Sequence, residues 1–177
     1  MLNIIAGSLS TGAPPAPLSS YESIATTTVG AGGASNITFS SIPSTYTHLQ
    51  IRCMVKNSQL ASMYLELNSD TGANYSFHRV YGEGTTTVAS GGGGYSFALC
   101  GITGTQFGST IIDILDYTNT NKNTTIRSLS GYDNNGSGYV GLWTGGWYNT
   151  NAVSSINLVA TTFQQYSQIA LYGIKGA

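Results

Sequence analysis

The chain has 177 residues and a formal net charge of −1, enough for one domain with a sizeable core. Charged residues make up 7% of it, against roughly a quarter in an ordinary domain, and its six Lys and Arg are scattered from Arg52 to Lys175. That excludes a basic stripe for a phosphate backbone, so no nucleic-acid partner is expected.

Residues 1–20 (MLNIIAGSLSTGAPPAPLSS) differ from all that follows. An apolar head (Leu2, Ile4, Ile5) runs into a stretch punctuated by Pro14, Pro15 and Pro17. Such a stretch resists helix and favours extended, solvated backbone. It predicts a partner-binding arm set apart from a domain over 21–177. The head is too short for a signal peptide and has no basic flank. Nothing approaches the ~18 apolar residues of a membrane helix, so no membrane partner is expected.

From Tyr21 the text is a succession of short strand signals, read over 21–29, 35–41, 47–57, 61–68, 74–82, 95–102, 109–118, 123–132, 138–144, 153–161 and 167–175. The clearest is THLQIRCMVKN, where Leu49, Ile51, Cys53 and Val55 alternate with Gln50, Arg52, Met54 and Lys56, as in a strand with one buried face. STIIDILDYT carries apolar residues on both alternating sets, which reads as a central strand covered on both sides. Between them lie turn-formers: NSDTGAN (68–74), a GGGG tract (91–94) taken as a loop tip, TNTNKN (118–123) and DNNGSG (133–138). No window has a 3.6-residue period and no internal repeat appears. Strands at this spacing without helices predict an all-β fold, a jelly-roll-like sandwich with an extended N-terminal arm.

Chemistry-bearing residues are few. His48 and His78 read as ordinary polar histidines of a sheet, and no serine sits in a G-x-S-x-G elbow. Asp113 and Asp116, three apart on a strand, point to opposite faces and cannot straddle one glycosidic bond; one of them is expected to pair with Arg52 or Arg127. DNNGSG begins like a calcium loop, but Thr144 stands where the closing acid belongs. Cys53 and Cys100 read as free core thiols in apolar runs. The GGGG tract lacks the helix start of a phosphate cradle. The four N-x-[ST] sequons, at Asn36, Asn74, Asn123 and Asn135, are expected by chance in so Asn- and Thr-rich a chain. No catalytic residues, cofactor or metal are assigned. The aromatic cluster Tyr139, Trp143, Trp147 and Tyr148 admits two readings: a solvent-facing platform for a protein interface or glycan, or core residues on either side of a glycine turn.

The strand text also resembles a family of tailed-bacteriophage virion proteins common in cyanophages and other marine phages. The stretches that carry the likeness are IPSTYTHLQIR (42–52), the NTNK turn (119–122), W-x-x-T-x-A-x-x-S-I (147–156) and the terminal LYGIKG (171–176), within a likeness running from about Tyr21 to Lys175. The resemblance implies a non-enzymatic β-sandwich assembled in the host cytoplasm onto the outer surface of the virion, often as an oligomer. One expected role is a capsid decoration (cement) protein, a homotrimer whose arm binds the major capsid protein. The other is a tail-fibre module that recognises host surface glycans through the aromatic cluster.

Overall fold

A computed structural model of the protein describes residues 20–176, so the arm residues Leu2, Ile4, Ile5, Pro14, Pro15 and Pro17 lie outside the described residues. Within them the chain forms strands β1 (Tyr21–Thr28), β2 (Ala34–Phe39), β3 (His48–Val55), β4 (Ala61–Leu67), β5 (Tyr75–Glu83), β6 (Thr86–Tyr95), β7 (Ala98–Thr103), β8 (Gly108–Leu115), β9 (Thr124–Asn134), β10 (Ser137–Trp147), β11 (Ile156–Phe163) and β12 (Gln168–Ile174). One sheet has the order β1-β12-β3-β8-β9-β10-β5-β6 and the other β2-β11-β4-β7.

The pairing is nested. β1 pairs β12, β2 pairs β11, β3 pairs β8 and β4 pairs β7, all antiparallel. A long hairpin rolled onto itself in this way is a jelly roll, a sandwich of two four-stranded sheets. Two hairpins are added to it. β5–β6 is inserted between β4 and β7, and β9–β10 between β8 and β11. They pair with each other through β10 and β5 and extend one sheet past β8.

The main core lies between the rolled strands. Leu49, Ile51, Ile112, Ile114, Leu65 and Leu158 are among the side chains with no exposed area. A second cluster fills the space under the inserted hairpins, where Leu99, Ile102 and Trp143 pack against Tyr64, Phe77, Tyr81, Tyr132 and Tyr139. Cys53 and Cys100 are free and buried. Burial pushes the Cys53 thiol up to about 12 and that of Cys100 higher still. Neither should react with iodoacetamide at pH 8 in the native protein, and both should react once urea exposes them; rapid labelling without denaturant would contradict this core.

Three readings need correction. The GGGG tract is strand, not loop: Gly91, Gly92 and Gly93 pair with His78, Phe77 and Ser76 on the edge strand β6. A Cβ on Gly91 would fall 2.3 Å from the His78 ring, so the missing side chain is what lets that imidazole lie across the edge. Glycine has poor strand propensity, and the signal is therefore absent from the text. Gly145 and Gly146 are likewise no turn but continue β10, opposite Phe77 and Ser76. The third concerns β8, whose outward Ile111 is 39% exposed, so this strand is covered on one side only. The DNNGSG turn stands: Asn135 (φ 54°) and Gly136 (φ 91°) supply the two left-handed residues of a tight hairpin between β9 and β10.

Candidate binding surface

Outward positions on a solvated antiparallel sheet are normally polar. The outer face of the four-stranded sheet obeys: Thr38, Asn157 and Glu66 lie opposite one another on β2, β11 and β4. Hydrogen bonds of 3.0 Å (Thr38 Oγ1 to Asn157 Oδ1) and 2.9 Å (Asn157 Nδ2 to Glu66 Oε2) join them.

The outer face of the eight-stranded sheet does not obey. Cross-strand partnership carries a single line from β8 to the edge, Ile111 opposite Leu129, Leu129 opposite Leu142, Leu142 opposite Val80 and Val80 opposite Ala89. Directly opposed side chains stand about 5 Å apart at Cβ, so these residues form one continuous ridge. Leu129 is 53% exposed, and Leu142, Val80 and the neighbouring Val140 are also exposed. Glycine-floored hollows flank the ridge. One, of about 540 Å³, is lined by Ile111, Leu129, Gly131, Val140 and Gly82. The other, of about 530 Å³, is lined by Leu142, Val80, Ala89, Gly91 and His78.

A polar row borders the ridge. Arg127 reaches Asp113 at 2.7 Å, and Gln50 Nε2 donates to the other carboxylate oxygen at 2.8 Å. Arg52 Nε donates to Gln50 at 2.9 Å, and its guanidinium lies over the rings of Tyr21 and Tyr172. Asp113 thus pairs with one of the two arginines expected of it. Asp116 instead holds Lys122, which keeps its carboxyl below the usual carboxylate range. His48 Nδ1 accepts the backbone N–H of Asp116 at 2.9 Å. His78 lies far across the sheet, on β5.

The aromatic cluster does not assemble as a platform. Trp143 and Trp147 are each 1% exposed and point inward. Trp143 stacks on Tyr81 and Trp147 on Tyr75, with centroids 6.4 Å apart in both pairs. Tyr139 is half-buried between Tyr81 and Tyr132; its hydrogen bond to Glu83 heads the causes that push its hydroxyl up to about 12. Only Tyr148 is freely exposed, its hydroxyl accepting from Ser76 Oγ at 3.3 Å. The Trp143 indole N–H has no acceptor among the described residues. The Trp147 indole N–H donates to Asp70 at 2.7 Å, and that carboxylate also accepts from Asn74 and from the backbone of Gly72. Asp70 is thereby spent on its own loop. Asp133 Oδ1 similarly accepts the Gly136 N–H of its turn. Among the described residues, no group of three His, Cys, Asp or Glu is placed to hold a metal ion.

Sequence reasoning passed over Leu129, Leu142, Val140 and Val80 because alternation does not say which set faces out. In TTIRSLSG the inward set includes Ser128 and Ser130. Strand β7 comes so close to β9 that Ser128 Oγ donates to the Cys100 carbonyl at 2.7 Å, and Ser130 Oγ lies 2.8 Å from Thr110 Oγ1. Small hydroxyls fit inside that approach, which leaves the leucine outside.

No protein-family model matches the chain, and no curated protein matches it. Among solved structures, "Structure of infectious bursal disease virus Gx strain" aligns over 88% of this chain at 15% identity with a TM-score of 0.13. This chain spans 42% of that one, and a score so low says nothing of a shared fold or role.

Proposed function

We propose that the protein is a non-enzymatic structural component of a phage particle, a capsid decoration (cement) protein that binds the major capsid protein through residues 1–20. The reading rests on the phage-like motifs and on one structural observation: the jelly roll closes its sheets and core within residues 20–176. Its first strand is held at the sheet edge by its pairing with β12, and Lys175 N–H donates to the Ser20 carbonyl at 3.0 Å. Attachment is assigned to the preceding segment, with its apolar head Leu2, Ile4 and Ile5. Many weak contacts repeated over a lattice give such a protein its avidity. It stands on the outer surface of the virion as a homo-oligomer, after assembly in the host cytoplasm.

Deleting residues 1–20 is expected to leave a folded domain, with an unchanged far-ultraviolet circular dichroism spectrum, that no longer sediments with capsids. Undiminished occupancy by the truncated protein would sink the proposal. The tail-fibre alternative has lost its two indoles to the core and keeps only Tyr148 of its platform as an exposed ring. Copy number on intact particles separates the roles, since a cement protein is present in many copies and a fibre in few.

A further inference from the structure

The geometry points to the outer face of the eight-stranded sheet as a self-association surface: we infer that a second copy of this chain packs face to face on it across the ridge of Ile111, Leu129, Leu142 and Val80. The inference stands apart from the particle setting, since the face belongs to the folded domain and not to the arm.

Three observations carry it. First, the text of β8 reads as a strand covered on both sides, yet within one chain only its inner side is covered, by the opposing sheet. The same departure from polar-out alternation recurs on the neighbouring strands β9, β10 and β5, while the opposite outer face is a hydrogen-bonded polar ladder. Among outward strand positions, the continuous apolar line lies on this one face; the other exposed apolar side chains, such as Leu60, Phe107 and Tyr166, stand singly in connections. Second, the size fits. A two-fold axis between β9 and β10 overlaps six strands, β3 to β6 in sheet order; at about 4.8 Å apart and about seven residues long they give about 29 Å by 23 Å, or about 670 Å² from each copy. Both copies together bury about 1,300 Å², within the about 1,200–2,000 Å² of a stable pair.

Third, charge and shape favour like on like. The charged side chains of this face are Arg52, Arg127 and Asp113, with Asp133 lining the first hollow, and Asp113 neutralises Arg127. A face so near neutrality meets its own copy without the repulsion that a strongly charged surface would impose, and it offers a charged partner nothing to match. The ridge lies between hollows floored by Gly131, Gly82 and Gly91, so side chains of one copy have hollows to enter on the other. A two-fold axis lying in the interface, parallel to β9 and β10 and midway between them, sets Leu129 of one copy over Leu142 of the other. The same operation sets Ile111 over Val80. This is the self-matching contact of a closed dimer, with the sheets about 10 Å apart as in a sandwich.

Sedimentation of the full chain over a concentration series tests this. The wild type is expected to form a dimer, or an even assembly of dimers. Leu129→Glu and Leu142→Glu each place like charges at the centre and should raise the dissociation constant at least about 30-fold, the effect of losing a central anchor. Both positions are exposed, so the melting temperature of each variant should stay close to wild type, while Thr38→Glu on the polar face should leave the mass unchanged. A wild type that stays monomeric overturns the inference, as does a trimer indifferent to both substitutions. Assembly that disappears on deleting residues 1–20 would show that the arm covers the ridge, which also overturns it; loss of capsid binding alone would bear only on the attachment reading.

Discussion

Trp147→Ala is expected to lower the free energy of unfolding by about 3–5 kcal/mol, the range for removing a fully buried aromatic side chain. Trp147 ends β10, is 1% exposed, and packs on Tyr75, which has no exposed area at all. Its loss opens a cavity at the end of the main core and leaves the Asp70 carboxylate without its 2.7 Å donor. Urea unfolding at pH 7 measures the loss, and a change under 1 kcal/mol would mean that the indole is not core. Trp147→Phe keeps one six-membered ring in the core and removes the N–H along with the rest of the indole's volume, so it should cost less than Trp147→Ala while still depriving Asp70 of its donor.

The same pair predicts an acid dependence. The Trp147 N–H, then Asn74 and the Gly72 N–H, hold the Asp70 carboxyl below the usual carboxylate range. Unfolded, the group titrates near about 3.9. A depressed native value gives stability that is complete above the unfolded value and lost as pH falls through the native one. Below pH 4 the stability of Trp147→Phe should therefore fall less steeply than that of wild type.

Asn57→Ala is expected to cost about 1–3 kcal/mol, chiefly because the Thr162 N–H loses its acceptor, while the Ser58 N–H keeps the Thr162 carbonyl and the Thr103 hydroxyl keeps the Ala61 carbonyl. Asn57 has no exposed area and sits where the chain leaves β3 for the other sheet. Its Nδ2 donates to Thr103 Oγ1 at 3.1 Å, and its Oδ1 accepts the backbone N–H groups of Ser58 at 2.8 Å and Thr162 at 2.9 Å. Its own N–H donates to Gly104 at 2.8 Å. One amide thus stitches the corner after β3 to β7 and β11. Faster hydrogen exchange at the Thr162 amide would accompany the loss of stability; an unchanged rate would show that the corner holds without the side chain.

These two positions also mark where the text was readable and where it was not. Alternation located β3 and its inward set Leu49, Ile51, Cys53 and Val55 without ambiguity, because one face is apolar and the other is not. Asn57 closes the same strand signal with nothing to set it apart from the other polar residues there, and only the approach of β7 and β11 makes it a buried hub. Trp147 stood beyond two glycines that read as a turn; pairing with Ser76 and Phe77, residues far away in the chain, draws them into a strand. The glycines of β6 were unreadable for a related reason, since an edge strand held by one neighbour needs no side chains of its own.

The all-β class, the jelly-roll expectation, the free core cysteines and the poverty of chemistry-bearing residues followed from the sequence by itself. Each depends on composition or on period-two alternation, which are local. The two inserted hairpins, the burial of both indoles and the outward ridge were decided by tertiary structure. Which set of an alternating strand faces the core depends on how closely the opposite sheet approaches. At β9 that approach admits Ser128 and Ser130 and turns Leu129 to the outside.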